Sequence, residues 1–266
     1  MLKMAKVVPI FKGDDKMFVN NYRPVSVLPV LSKILERLMY NRLNTYMVQN
    51  CFLTDRQFGF KNQHSTSMAV LRLVDEITTE IDKGNITVGV FIDLSKAFDT
   101  IDHNILLDKL QLYGVRGIAY DWMCSYINNR KQYVSVDNSK SKETIITCGV
   151  PQGSILGPLL FTIYINDIVN VSNVLNMILF ADDTNIFISG RNVADVCDIL
   201  NSELCNLSRW FKLNKLSLNV KKTNCMIFRI KSKVLRNIPN VFIDGTILDK
   251  VDSCKFLGII INSSLT

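Results

Sequence analysis

Apolar residues recur along this chain in two rhythms, one with a period of three to four residues and one nearly continuous over short runs. Across residues 32–46, Ser-Lys-Ile-Leu-Glu-Arg-Leu-Met-Tyr-Asn-Arg-Leu-Asn-Thr-Tyr, the apolar positions return at helical spacing with the charges on the other face. That pattern predicts an amphipathic helix. A second helix is predicted over residues 67–82, with Met68, Leu71, Val74, Ile77 and Ile81 as its buried stripe. Helical spacing returns over residues 103–113, around 122–128, and from Asn192 to about Phe211. The run 159–166 is apolar enough for a buried helix starting near Pro158. Strands are predicted at residues 7–11, 87–92, 132–136 and 144–147, and an apolar strand at 254–262 closes the chain.

The most informative break in this pattern lies at residues 177–188, where Asp182 and Asp183 separate two runs rich in β-branched and aromatic residues. Asp-Asp-Thr-Asn supplies turn formers, so the stretch predicts a β-hairpin with acid at its tip. In isolation, solvated turn aspartates would be the default reading. The buried strand at 87–92 delivers a further carboxylate, Asp93, to its C-terminal end, a common place for polar function in sheet proteins. Asp99 and Asp102 are its rivals, with simpler roles available. Asp102 precedes a helix and suits an N-cap, and Asp99 can cap or pair locally. His103 has no Cys or His at metal-ligand spacing and reads as structural.

Three other stretches can carry chemistry. Lys12 and Arg23 could face each other across a loop, and two cations on a hairpin suit a triphosphate. Their spacing alone fits ordinary surface charges equally well. Phe58 and Phe60, beside Lys61, could stack a base or sugar, with core burial as the simpler role. Gly149-Val-Pro-Gln-Gly-Ser-Ile-Leu-Gly-Pro is crowded with glycine and proline, a backbone that permits close approach by a ligand.

Composition narrows the class. With 266 residues, 48% hydrophobic and 21% charged, the chain can bury a real core and divide into two subdomains. The formal charge of +7, with pI near 9.0, suits a polyanionic partner. Seven scattered cysteines without a Cys-x-x-Cys pair signal neither a disulfide framework nor a zinc site, so a reducing compartment is expected. The longest apolar run, 155–165, carries Gly157 and Pro158 and is too short to span a bilayer. No membrane association is expected, and the protein reads as soluble and intracellular.

Taken together in this order, several stretches are specific: Asn21-Tyr-Arg-Pro-Val-Ser, Gln57-Phe-Gly-Phe, Phe91-Ile-Asp-Leu-Ser-Lys-Ala-Phe-Asp, Gly149-Val-Pro-Gln-Gly-Ser, Phe180-Ala-Asp-Asp-Thr, Asn219 to Thr223, and Phe256-Leu-Gly. The chain resembles the reverse transcriptase of non-LTR, LINE-type retrotransposons, close to the jockey-like group. That resemblance implies an α+β right-hand polymerase fold, with helical fingers and an antiparallel palm sheet. It places fingers at 1–86, a palm with the catalytic motifs at 87–231, and a β-element like the family's primer grip at 232–266, with the thumb, endonuclease and zinc-knuckle regions missing.

The implied chemistry is nucleotidyl transfer from a dNTP to a DNA primer 3′-hydroxyl on an RNA template, assisted by two Mg²⁺ ions with Mn²⁺ as a substitute. Asp93, Asp182 and Asp183 would hold the metals, since hard cations take oxygen ligands. Phe98 matches the position of an aromatic gate that excludes a ribose 2′-hydroxyl. Gln152 would contact the nucleotide, and Lys12 and Arg23 its phosphates. Lys222 would approach the departing pyrophosphate, with Lys221 as its neighbour; on a strand the two would face opposite ways. The tip has Phe180 where many reverse transcriptases have Tyr, which keeps both carboxylates. Two rival classes share these features: an RNA-dependent RNA polymerase, which Phe98 opposes, and an inactive remnant that only binds RNA.

Overall fold

The computed structural model describes residues 2–13, 15–137, 139–230 and 237–265. In chain order the first elements are β1 (Met4–Phe11), β2 (Tyr22–Val27), α1 (Val30–Gln49), α2 (Thr66–Asp82) and β3 (Ile86–Ile92). They are followed by α3 (His103–Leu112), α4 (Ile118–Ile127), β4 (Lys131–Val136), β5 (Ser139–Lys140), β6 (Thr144–Ile145) and α5 (Gly157–Ile165). After these come β7 (Asn176–Phe180), β8 (Asp183–Gly190), α6 (Val193–Leu213), β9 (Asn224–Phe228), β10 (Phe242–Ile243) and β11 (Thr246–Ile247). The last are β12 (Asp249–Lys250), β13 (Ser253–Phe256) and β14 (Ile259–Asn262). This is the expected mixed α+β composition. The elements form two compact units, Met1–Leu53 with Lys96–Ile165, and Thr54–Ser95 with Asn166–Thr266. Each unit is assembled from two separate stretches, whereas the regions expected from sequence were consecutive. The expected boundary at 231/232, like Asp14 in the turn after Lys12, lies outside the described residues.

The first unit holds a sheet in the order β2-β1-β4-β5, with β6 pairing β4. β1 and β2 are antiparallel and β1 and β4 parallel. In the same unit, α5 is buried along its length, from Leu159 to Ile165. Its last turn is capped by the buried Lys109, whose Nζ donates to the Tyr164 carbonyl at 2.6 Å, a cation placed where the helix dipole is negative.

Helix α1 departs from expectation at both ends and on its faces. It runs from Val30 to Gln49, and the side it buries carries Ser32, Glu36, Leu43 and Met47. Ile34 and Leu38, assigned by pattern to an apolar helix face, are 51% and 57% exposed. Glu36 is only 1% exposed, because its Oε2 accepts the Ile155 amide at 2.7 Å and Oε1 the Ser32 hydroxyl at 3.4 Å. A buried polar group needs partners, and the loop before α5 supplies one.

The second unit is built on a sheet in the order β12-β9-β3-β8-β7. β3 is central, antiparallel to β8 and to β9, and buried along almost its whole length, as its continuous apolar run requires. Helix α2 buries Ala69, Leu73 and Ile77 against Ile178, Phe187, Met226 and Phe228. Of the stripe expected from sequence, Ile77 is buried and Val74 and Ile81 are partly buried, but Met68 and Leu71 are exposed. The smaller Ala69 takes the inward position, allowing the helix to lie close. Phe58 joins this core while Phe60 stays outside it. The terminal apolar stretch is not one strand but a hairpin, with Phe256 opposite Ile259. Leu257 and Gly258, at φ 48° and 91°, make the two-residue turn that the glycine permits.

Phe228 is fully buried in this core. Phe228→Ala should lower the unfolding free energy by about 3–5 kcal/mol through the cavity it leaves, whereas Ile118→Ala, at a position 89% exposed, should stay within about 0.5 kcal/mol. Urea denaturation of the two variants checks the contrast.

Candidate active site

In the second unit, the register of β3 against β8 sets Ile92 opposite Thr184, so Asp93 follows at the level of Asp183. β7 and β8 pair down to Phe180 opposite Asp183, leaving Ala181 and Asp182 as a two-residue turn. The turn is therefore tighter and earlier than the sequence suggested. Thr184 and Asn185 are buried strand residues rather than turn formers. Ala181 adopts φ 55°, in the left-handed region that non-glycine residues rarely enter.

The three carboxylates feel one another. Asp183 has its pKa raised to about 6, first by desolvation, then by the charges of Asp182 and Asp93. The Asp183 side chain is nonetheless exposed to solvent, so screening tempers the energetic weight of that shift. Among the described residues, no group of three or more His, Cys, Asp or Glu side chains is placed so as to hold a metal ion by itself. The donor set still fits Mg²⁺, which takes oxygen ligands and is commonly bound by one or two carboxylates together with waters and substrate phosphates rather than by an all-protein cage.

Asp93 is gripped from the turn before β9. Its carboxylate Oδ2 accepts Asn219 Nδ2 at 2.7 Å, its amide donates to Thr223 Oγ1 at 3.3 Å, and its carbonyl accepts the Asn219 amide at 2.9 Å. Thr223 Oγ1 in turn donates to the Asn219 carbonyl at 3.0 Å. In the sequence the lysines of this stretch are its conspicuous residues. The signal for Asn219 and Thr223 was their turn chemistry, since Asn and Thr side chains bond nearby backbone. Lys221 and Lys222 lie in that turn, not on a strand, so alternation between sheet faces does not distinguish them. A cleft does: Lys222, with Asp93, Asp183, Asn185 and Asn224, lines a cavity of about 340 Å³, and Lys221 is not among its lining residues.

The other expected site residues belong to the first unit. The Gly149 loop runs along the turn of Phe98: Val150 donates to the Phe98 carbonyl at 2.9 Å. A Cβ on Gly149 would come within 2.7–2.9 Å of the Asp99 backbone, so this contact requires glycine. Phe98 is half-buried, its ring stacked on Phe161 at 4.6 Å. Gln152 Nε2 donates to Asp99 Oδ1 at 2.8 Å. Burial raises the Asp99 pKa, opposed by Gln152 and by the charges of Lys96 and Lys12. Asp99 thus pairs with a residue distant in sequence rather than locally, and Asp102 caps α3 by accepting the Asn104 and Ile105 amides. His103 binds the Gly149 carbonyl at 2.8 Å, as a structural residue would. Lys12 and Arg23 are exposed at one end of the β1–β2 hairpin, where Arg23 opposes Ile10 and the Lys12 amide donates to the Asn21 carbonyl. The pairing puts Arg23 on the face of Ile10, and Lys12 lies one residue past the end of β1.

Comparison with known proteins bears on the family and the fold. Residues 10–261 match the family model described as reverse transcriptase (RNA-dependent DNA polymerase). Over 99% of its length the chain is 34% identical to a probable RNA-directed DNA polymerase from transposon BS of Drosophila melanogaster. Over 98% it is 31% identical to the RNA-directed DNA polymerase from mobile element jockey of Drosophila funebris. It spans 30% and 29% of those two relatives. Among solved structures, telomerase from Candida albicans, determined with the TWJ fragment of telomeric RNA, matches with a TM-score of 0.68. That match has 12% identity and covers 98% of this chain and 45% of the telomerase chain, so it speaks for the fold. The chain belongs to the reverse transcriptase family.

The Asp183 shift makes a pH prediction. A carboxyl whose pKa rises from 3.8 to about 6 on folding binds more protons folded than unfolded between those values. Stability therefore falls as pH rises through that window. In the absence of divalent metal, Asp183→Asn should be more stable than the parent by about 1 kcal/mol at pH 7.5, after discounting for solvent screening. The difference should vanish below pH 4, as urea denaturation at the two pH values would reveal.

Proposed function

We propose that this chain is the RNA-directed DNA polymerase domain of a non-LTR retrotransposon, transferring a nucleotidyl group from a dNTP to a primer 3′-hydroxyl on an RNA template. The observation that carries the reading is the meeting of Asp93, Asp182 and Asp183 at the ends of β3 and the β7–β8 hairpin, close enough to raise the Asp183 pKa, in a chain of the reverse transcriptase family. In right-hand terms, the β3–β8–β9 sheet serves as palm, the N-terminal region as fingers and the β13–β14 hairpin as a primer-grip-like element.

Bound Mg²⁺ or Mn²⁺ would stabilise the attacking and leaving oxygens of an in-line displacement. Asp93, Asp182 and Asp183 supply the oxygen donors, and their mutual repulsion is relieved when cations enter. Asn219 keeps Asp93 turned by its hydrogen bond to one carboxylate oxygen, leaving the other for a ligand. Lys222, on the wall of the same cleft, serves the departing pyrophosphate by holding positive charge where negative charge develops. Phe98 acts as the gate against a 2′-hydroxyl, supported by the rigid backing of Phe161. Gln152 meets the incoming nucleotide, its orientation set by Asp99, and Lys12 and Arg23 contact the triphosphate. An intracellular, reducing setting belongs to the same reading, supported by seven scattered cysteines without a Cys-x-x-Cys pair.

Primer extension on an RNA template, with dNTPs and Mg²⁺ or Mn²⁺, tests the proposal. The parent chain should extend the primer, and folded Asp182→Asn should not, with a loss of at least about 10²-fold. Equal extension by both proteins would remove the acids from the mechanism. Binding of RNA without extension by either would favour the rival reading, a nucleic-acid-binding fragment.

A further inference from the structure

The turn that carries Asp182 is held in an unfavourable backbone conformation. Ala181 at φ 55° places its Cβ against its own backbone, and such conformations persist only where surrounding structure determines them. What surrounds it is the segment before α2. Arg56 and Phe58 bond the backbone of Leu179 on β7, the Phe58 amide donating to the Leu179 carbonyl at 2.8 Å and the Leu179 amide to the Arg56 carbonyl at 2.9 Å. Between them Gln57 is 1% exposed. Its Oε1 accepts two amides at once, that of Gly59 at 2.7 Å and that of Ala181 at 3.1 Å.

Two further features show that this contact is built for the turn. A Cβ on Gly59 would lie 2.2 Å from the Ala181 nitrogen and 3.0 Å from its Cα. Only glycine lets the loop come this close, and here the reason is steric rather than a special φ. In addition, Gln57 Nε2 is buried without a hydrogen-bond partner. An orphaned buried donor is destabilising, and an apolar side chain of the same size would fill the space without it. The residue is therefore explained by its acceptor oxygen, which serves the Ala181 amide, and not by its bulk.

We propose that Gln57 and Gly59 are positioning residues that lock the Ala181–Asp182 turn in its left-handed form and so fix where the Asp182 and Asp183 carboxylates stand. This rests on the acid-site reading given under the proposed function. Without the clamp, Ala181 relaxes toward the ordinary right-handed or extended regions, the two carboxylates move, and metal affinity falls with catalysis. With glycine in place of Ala181 the left-handed form carries no Cβ penalty, so the clamp becomes partly dispensable.

The test uses Gln57→Met, which keeps the volume and removes the acceptor, alone and combined with Ala181→Gly. Hydrogen exchange without metal comes first. In Gln57→Met the amides of residues 181–183 should exchange at least about ten-fold faster, while those of β3, which report global opening, change far less. Mn²⁺ titrations followed by electron paramagnetic resonance should show half-saturation raised about ten-fold, with partial recovery in the double variant, and single-nucleotide incorporation should follow the same order. A merely structural role predicts faster exchange spread equally over β3 and the turn, with no rescue by glycine. That result, or a folded Gln57→Met with unchanged exchange and Mn²⁺ affinity, overturns the proposal. Should Gln57→Met not fold, the double variant decides, since the clamp predicts that glycine at 181 restores folding; failure there also overturns it. Asp182→Asn separates the two readings. If it binds Mn²⁺ as the parent does, the acid site is wrong; if it loses Mn²⁺ while Gln57→Met keeps it, only the clamp is wrong.

Discussion

Holding like charges together is the constraint on which the second unit depends. Three carboxylates at the ends of adjacent strands repel, and Asp183 shows it in a pKa raised to about 6 by burial and by its two neighbours. Nothing in the acids themselves favours this arrangement, so the frame must impose it. The central strand β3, buried on both sides by apolar residues, and its seven-pair register with β8 provide that frame. A one-residue slip would send every side chain of β8 to the other face, and the buried run of Thr184, Asn185, Ile186, Phe187 and Ile188 makes such a slip costly.

Two local devices refine what the sheet begins, and they approach from different parts of the sequence. The Asn219–Thr223 turn grips Asp93 through its carboxylate, its amide and its carbonyl. The Gln57–Gly59 segment meets the opposite strand end, at Ala181. Both include a polar side chain that accepts a backbone amide, Thr223 that of Asp93 and Gln57 that of Ala181, and the first adds the Asn219 side-chain amide on the Asp93 carboxylate. Asn219 engages one carboxylate oxygen of Asp93, and Gln57 bonds the backbone of the turn rather than its acids. In the first unit the same logic recurs: buried Glu36 holds the Ile155 amide, and Asp99 holds Gln152.

Much of this was legible in the sequence, and what was not has identifiable causes. The continuous apolar run of β3, the acidic hairpin and the N-cap at Asp102 follow from local pattern, so their positions came out within a residue or two. The faces of α1 and α2 did not, because periodicity shows that a stripe exists but not which of two overlapping stripes meets the core. Glu36 turned inward for a backbone amide more than a hundred positions away in sequence, and Ile34 and Leu38 turned out. The hairpin tip was misplaced toward Asp183–Asn185 because Asp, Thr and Asn are good turn formers. Tertiary contact from Gly59 and Gln57 moved it to Ala181, a residue with no turn preference of its own. The terminal strand became a hairpin through Gly258, a single residue that a strand pattern tolerates. Asn219 and Gln57 stand in stretches that the sequence marks as specific, but their roles were not legible there, because an uncharged amide carries no signal until its partner is known.

If the acids are held together against their repulsion in order to receive divalent cations, then a cation should relieve the strain that the frame imposes. Thermal unfolding with and without Mn²⁺ measures this directly, since a ligand that binds only the native state raises its stability by mass action. Saturating Mn²⁺ should raise the midpoint of the parent chain by several degrees and leave the Asp93→Ala/Asp182→Ala protein unmoved. An equal shift in both proteins, or none in the parent, would contradict the account.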